Sequence, residues 1–100
     1  MEIDLAHIVI SLSGRDKGRL FIVCDTDANF VYLADGRLRR IESPKKKRRK
    51  HVRFVSDFET RAGEKLKLGD KVLSSEIRRA LSDYVKSMEA TQAQGGNMLG

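Results

Sequence analysis

The sequence ISLSGRDKGRLFIV, residues 10–23, consists of two apolar segments separated by a short polar turn. The flanking segments IVISLS (8–13) and RLFIVC (19–24) are rich in β-branched and aromatic residues, which is typical of strands. Gly14 and Gly18 bracket the turn, where glycine permits positive φ and a close approach of the backbone to a partner. Taken alone, the turn fits an ordinary polar hairpin equally well. The other interpretation is a phosphate-binding turn that presents three cations, Arg15, Lys17 and Arg19.

The pattern of short strands continues on the C-terminal side of this motif. NFVYLA (29–34) precedes Asp35-Gly36, a dipeptide typical of tight hairpins, and RLRRI (37–41) follows it. HVRFV (51–55) is a further alternating segment. In the segment 37–41, Leu38 and Ile41 are expected to face the core and the arginines to face outward. Five short strands within residues 1–56 predict a mainly β fold, a small, strongly bent sheet that closes into a barrel.

Between the last two predicted strands lies SPKKKRRKHVRF (43–54), with six consecutive cations at residues 45–50. Residues 37–53 carry ten Lys and Arg and one acid, Glu42, a net charge of +9, whereas the rest of the chain has a net charge of −3. Such a patch indicates a polyanionic partner, nucleic acid first and an anionic membrane surface second. The run also fits a nuclear import signal, but a loop held between strands favours phosphate binding. A membrane partner is not expected, because no apolar residues accompany the run.

The turn and the basic segment together resemble the KOW family of RNA-binding modules. In these modules a Gly-basic-Asp-Lys-Gly turn links two apolar strands, with Gly18 here at the family's near-constant glycine. A further glycine that many members carry is replaced by Leu20, Phe21 or Ile22, and this variant is more similar to the KOW proteins of the archaeal and eukaryotic large ribosomal subunit. ADGRLRRIESPKKKRRKHVRF (34–54) extends the resemblance, which spans residues 5–55. It implies a five-stranded SH3-like barrel that binds RNA.

Two sets of residues are therefore expected at an RNA-binding site. The structural turn residues are Gly14, Asp16, Gly18, Asp35 and Gly36. The RNA-binding residues are Arg15, Lys17, Arg19, Arg37, Arg39, Arg40, Lys45, Lys46, Lys47, Arg48, Arg49, Lys50, His51 and Arg53. Phe30 and Tyr32 could stack on bases or lie in the core. Since few aromatic residues are available, a duplex or folded RNA held by its backbone is favoured over a single strand.

The spacing of apolar residues changes in the C-terminal part of the chain, from residue 57 onward. Residues 57–72 predict a linker with a helical turn near 64–68, and residues 73–90 predict an amphipathic helix with apolar positions from Leu73 to Met88. Ser74 or Ser75 could cap this helix. Its apolar face is expected to pack on the barrel or to dock a protein partner. The tail, 91–100, lacks periodicity and predicts disorder.

Nothing in the sequence predicts an enzyme, a metal site or a cofactor. His7 and His51 have no ligands at zinc spacing, and no nucleophile has a recognisable base. A single cysteine, Cys24, is expected to be a core thiol in a reducing, cytoplasmic compartment. The expected function is that of a ribosome-associated or translation-related ribonucleoprotein component. The alternative is a protein-interaction module of a transcription or translation complex.

Overall fold

The computed structural model describes residues 2–99, and side chains over residues 2–90. The strands are β1 (Ile8–Ser11), β2 (Leu20–Thr26), β3 (Phe30–Ala34), β4 (Lys45–Arg48) and β5 (Val52–Ser56), followed by the helices α1 (Arg61–Leu68) and α2 (Ser74–Leu99). The strands form one antiparallel sheet in the order β4-β3-β2-β1-β5. A single 3-10 turn, Arg49–His51, connects β4 to β5. Within the described residues, no helix has the length and apolar character of a membrane span.

Both faces of the sheet are buried at its centre, which explains why β2 is apolar almost throughout. One face packs under the helices, where Ile8, Ile22 and Ala34 contact buried residues of α1 and α2. We call this group of buried residues the helix-side cluster. On the opposite face, buried apolar residues of the strands pack against one another and form a second cluster. Because successive strand residues point to opposite faces, a strand buried on both sides has no polar alternation. The second cluster consists of Val9, Phe21, Val23, Val31, Leu33 and Val52.

The basic segment is a strand and not the expected loop. Residues 45–48 form β4, which pairs with β3 at the edge of the sheet. Edge strands tolerate lysine well, because charged side chains there discourage pairing with other chains. The alternation of buried and exposed positions in β4 cannot be read from the sequence, because all four residues are Lys or Arg. The prediction of a basic loop is therefore wrong.

The strand expected at residues 37–41 is a compact turn in the loop from β3 to β4. The carboxylate of Asp35 accepts the backbone N–H groups of Arg37 and Arg39, each at 2.9 Å. The N–H of Asp35 in turn donates to the carbonyl of Arg39. These bonds compete with an extended conformation, as short acidic side chains often do. Leu38, expected in the core, is 67% exposed, whereas Ile41 packs against the helix-side cluster.

The segment expected to be a linker contains α1, a complete helix of two turns. The Thr60 hydroxyl accepts the N–H of Gly63 as an N-cap, and Gly69 ends the helix in the left-handed region. Ala62 is buried in the helix-side cluster. Lys65 then forms an ion pair of 2.7 Å with Glu76 of α2. The segment is therefore part of the folded unit.

The N-terminal half of α2 packs on the sheet through Ile77, Ala80 and Leu81. Ser74 does not cap the helix. Its hydroxyl instead accepts the N–H of Ile41 at 2.9 Å, so it holds the β3–β4 loop. The backbone of α2 is helical up to Leu99, within the stretch 91–100 for which the sequence predicts disorder.

Candidate nucleic-acid interface

A buried polar cluster joins the glycine-bracketed turn to β4. The Nζ atom of Lys47 donates to Asp16 Oδ1, Ser11 Oγ and the carbonyl of Ser13, each at 2.7 Å. The Nζ atom of Lys45 lies 2.8 Å from Asp16 Oδ2. Ser11, Asp16 and Lys47 are all less than a tenth exposed. The two sequence segments that resemble an RNA-binding module are therefore fixed side by side.

The negative charge of Asp16 is paired with the ammonium groups of Lys45 and Lys47. Burial alone would raise the pKa of this carboxyl group, but hydrogen bonds from Lys45, Lys47 and Ser11 hold its pKa well below the ordinary value. The carboxylate therefore stays ionised in the folded protein at all but strongly acidic pH. A buried ammonium group is costly unless it is paired and hydrogen-bonded, and Lys47 meets both conditions.

Three of the expected RNA-binding cations are committed to internal contacts. Lys47 is buried and Lys45 shares its carboxylate partner, so the structure places these two expected contacts within the fold. Arg49 donates through Nη1 to the carbonyl of Ile3 at 2.7 Å and through Nε to the carbonyl of Asp27 at 3.0 Å. These side chains organise the basic region from inside. His51 is half-buried, and its carbonyl accepts the N–H of Leu12.

The other expected cations lie at the surface. The turn exposes three of them, with Gly14 and Gly18 at φ values of 81° and 86° as the sequence indicated. Alternation on β4 exposes the side chains on the opposite side of the strand from Lys47. The exposed set consists of Arg15, Lys17, Arg19, Arg37, Arg39, Arg40, Lys46, Arg48, Lys50 and Arg53.

A cleft of about 280 Å³ forms where the turn, the β3–β4 loop and the start of β4 meet. Two acidic side chains also line it, but Asp16 is paired with lysines and Asp35 accepts backbone N–H groups. Lys45 also lines the cleft and is paired with Asp16, whereas Arg15, Arg19 and Arg39 line it without an ion pair to either acid in the described part of the chain. These three arginines form a setting suited to an anionic oxygen.

The outer surface of β3 and β4 holds a feature that the sequence did not assign. Lys46 Nζ lies 4.3 Å from the centroid of the Phe30 ring, and Arg48 Cζ lies 5.2 Å from it. Arg48 is directly opposite Phe30 in the strand register. This contact could be predicted from the sequence only if β4 were recognised as a strand and paired with β3 in the correct register.

Across residues 2–99, no cluster of His, Cys, Asp and Glu has the composition and spacing of a metal site. Cys24 lies on β2 and packs against the helix-side cluster. Burial raises the pKa of its thiol to about 12, and the nearby Asp25 carboxylate adds to the shift. The thiol is therefore protonated at neutral pH.

The chain was compared with known proteins at the level of sequence. No family model matches it, and no curated protein matches it significantly. What the exposed cations bind is therefore inferred from their geometry and chemistry.

Proposed function

We propose that this chain is an RNA-binding module of the KOW type, which holds structured RNA by its phosphate backbone as a ribosome-associated or translation-related factor. The observation that carries the proposal is the Asp16–Lys47 ion pair. It fixes the turn against β4, and so it holds the exposed cations of the turn next to the strand that carries Lys46 and Arg48. Phosphate contacts supply most of the affinity of such surfaces.

An SH3-like barrel is the form proposed for the sheet. Its two edge strands, β4 and β5, are consecutive in the chain and are joined by one 3-10 turn, which keeps the edges near each other. The self-packed apolar cluster, with Val31 of β3 and Val52 of β5, supports a sheet that curls around it. In such a barrel the cluster of Ser11, Asp16 and Lys47 would fill one end of the interior.

The exposed side chains favour backbone contacts in a folded or duplex RNA. Arginine and lysine donors outnumber exposed aromatic groups across this surface, and phosphate contacts position an RNA without reading its sequence. If about five phosphates are neutralised, the logarithm of the binding constant falls with the logarithm of salt concentration at a slope of about −3.5 to −4.5.

The test is a sucrose-gradient profile of tagged protein from lysate, with and without RNase, for wild type and two double variants. Arg15→Gln with Arg48→Gln removes one cation from each basic segment and leaves Lys47 intact. Lys67→Gln with Lys71→Gln removes the same charge from α1 and the loop that follows it. RNase-sensitive migration with ribosomal particles that only the first variant loses would support the proposal. Light-fraction migration of the wild type would refute the ribosomal association.

A second candidate function is protein interaction through α2. Its side chains Val85 and Met88 are 39% and 44% exposed, beyond the part of the helix that packs on the sheet. The candidate predicts that a complex survives nuclease treatment and dissociates on Val85→Asp. Loss of the complex on nuclease treatment would count against it.

A further inference from the structure

In the described part of the chain, the two aromatic residues of β3, Phe30 and Tyr32, belong to neither apolar cluster. Phe30, Tyr32 and Ala34 point to one face of the strand, and Val31 and Leu33 to the other. Ala34 lies under the helices, whereas Phe30 and Tyr32 lie beyond that cover and are half-buried. Two aromatic rings are therefore presented next to each other on the outer surface of the sheet.

Two cations stand across from these rings. The register pairs Phe30 with Arg48 and Tyr32 with Lys46. Both cationic groups lie over the Phe30 ring, at 4.3 Å for Lys46 and 5.2 Å for Arg48. Lys46 and Arg48 are two residues apart on a strand, which separates their Cα atoms by about 7 Å. This spacing allows them to contact phosphates on either side of one nucleotide.

The turn before β3 holds the backbone of Phe30 and the side chain of Tyr32. Asp27 Oδ1 accepts a hydrogen bond from the backbone N–H of Phe30 at 2.9 Å, and Asp27 Oδ2 accepts one from the hydroxyl of Tyr32, also at 2.9 Å. Arg49 donates from its backbone N–H to the carbonyl of Asn29, so the turn is also held by the residue after β4. A strand end held in this way loses little backbone entropy when a planar group stacks on Phe30.

We propose that Phe30 is a stacking site for an unpaired nucleobase, with Lys46 and Arg48 binding the adjacent phosphates. On binding, the base covers the ring, and the two cations exchange a weak contact with the ring for full phosphate charges. The proposal rests on the proposed RNA-binding function and adds a single-stranded element to it. The bound RNA would then combine a folded region on the Arg15–Arg19 side with an unpaired nucleotide on β3.

The experiment compares two RNA probes by fluorescence anisotropy. One is a short single-stranded oligouridylate, whose bases are largely unstacked, and the other is a blunt-ended RNA duplex of equal length. Phe30→Leu is expected to lower affinity for oligouridylate on the order of tenfold, because stacking on one aromatic side chain is lost. It is expected to leave duplex affinity and both salt slopes unchanged, since no charge is removed. Phe30→Tyr should retain binding.

Phe54→Leu is the matched control, because it removes a ring on β5 that contacts His7 and does not belong to the proposed site of Phe30, Lys46 and Arg48. Equal oligouridylate affinity for wild type and Phe30→Leu would overturn the stacking site while leaving RNA binding in place. Equal losses for both probes would overturn it too, because they would indicate a structural role. A wild type that binds neither probe would overturn the proposed function itself.

A measurement on the wild type avoids any dependence on the folding of variants. On titration with oligouridylate, the ring protons of Phe30 should shift upfield in the NMR spectrum, as expected for a stacked base, and those of Phe54 should remain in place. Unchanged Phe30 ring resonances at saturation would refute the proposal.

Discussion

Lys47 Nζ lies 2.7 Å from Asp16 Oδ1, and this buried ion pair joins residues that are 31 positions apart in the chain. It connects the turn after β1 to the edge strand β4. The adjacent Lys46 points to the other face of the same strand and is exposed. Neighbouring lysines in one basic run thus have different roles, one within the fold and one at the surface.

Replacing Lys47 with Met is expected to lower the free energy of unfolding by about 3 kcal/mol, because Asp16 would keep a buried charge with one ion-pair partner fewer. Lys46→Met should cost less than about 1 kcal/mol, the contribution of an exposed cation–π contact. Urea denaturation of the two variants and the wild type measures both values. Equal losses at the two positions would contradict the internal role of Lys47.

Acid should destabilise the protein through Asp16. Its pKa is depressed in the folded state, where Lys45 and Lys47 hold the carboxylate, and is near the ordinary value of 3.8 in the unfolded chain. The unfolded state therefore binds the proton first as pH falls, and the stability that this carboxylate contributes is full above pH 3.8 and declines below it. Asp16→Asn should flatten the dependence of the unfolding free energy on pH below about pH 4, where the wild type loses the stability that this carboxylate contributes. An unchanged pH profile would count against this assignment.

The sequence predicted four of the five strands to within about two residues, since β1, β2, β3 and β5 each show β-branched residues between clear turn signals. It missed β4 because alternation cannot be read where every position is Lys or Arg. The inward positions of Lys45 and Lys47 follow from strand pairing with β3, which is a long-range property. Asp16 is recognisable in the sequence as a turn residue because it lies between Gly14 and Gly18. Its buried lysine partners are visible only in the fold.

Gly36 is expected to be the least replaceable glycine of the basic region. Its φ is +78°, and a Cβ atom there would lie 2.3 Å from the carbonyl oxygen of Ser74. Gly36→Ala should therefore lower the free energy of unfolding by more than about 2 kcal/mol, from backbone strain together with displacement of α2. Gly18→Ala is the control, because φ is +86° but no atom lies within 4 Å of the added Cβ. It should show only the strain, about 1 kcal/mol. Similar thermal stabilities would contradict the close contact with α2.

Cys24 is expected to react slowly with thiol reagents in the native protein. Burial raises the pKa of its thiol to about 12, so the reactive thiolate is scarce at pH 8, and the side chain packs against the helix-side cluster. Alkylation by iodoacetamide should become much faster in denaturing urea. Rapid labelling under native conditions would indicate that β2 opens or that the thiol is accessible.

The salt dependence of RNA binding should distinguish the cations of the basic turn from exposed cations elsewhere on the protein. Arg15→Gln should weaken binding to RNA hairpins of different sequence about equally and reduce the magnitude of the salt slope by about 0.7 to 0.9, because one phosphate contact is lost. Lys67→Gln, an exposed position on α1, should leave the slope unchanged. Titrations of anisotropy across a series of KCl concentrations measure these slopes. A loss at Arg15 for one hairpin sequence alone would indicate base readout by the turn, and an equal change at Lys67 would show that net charge, and not this surface, governs binding.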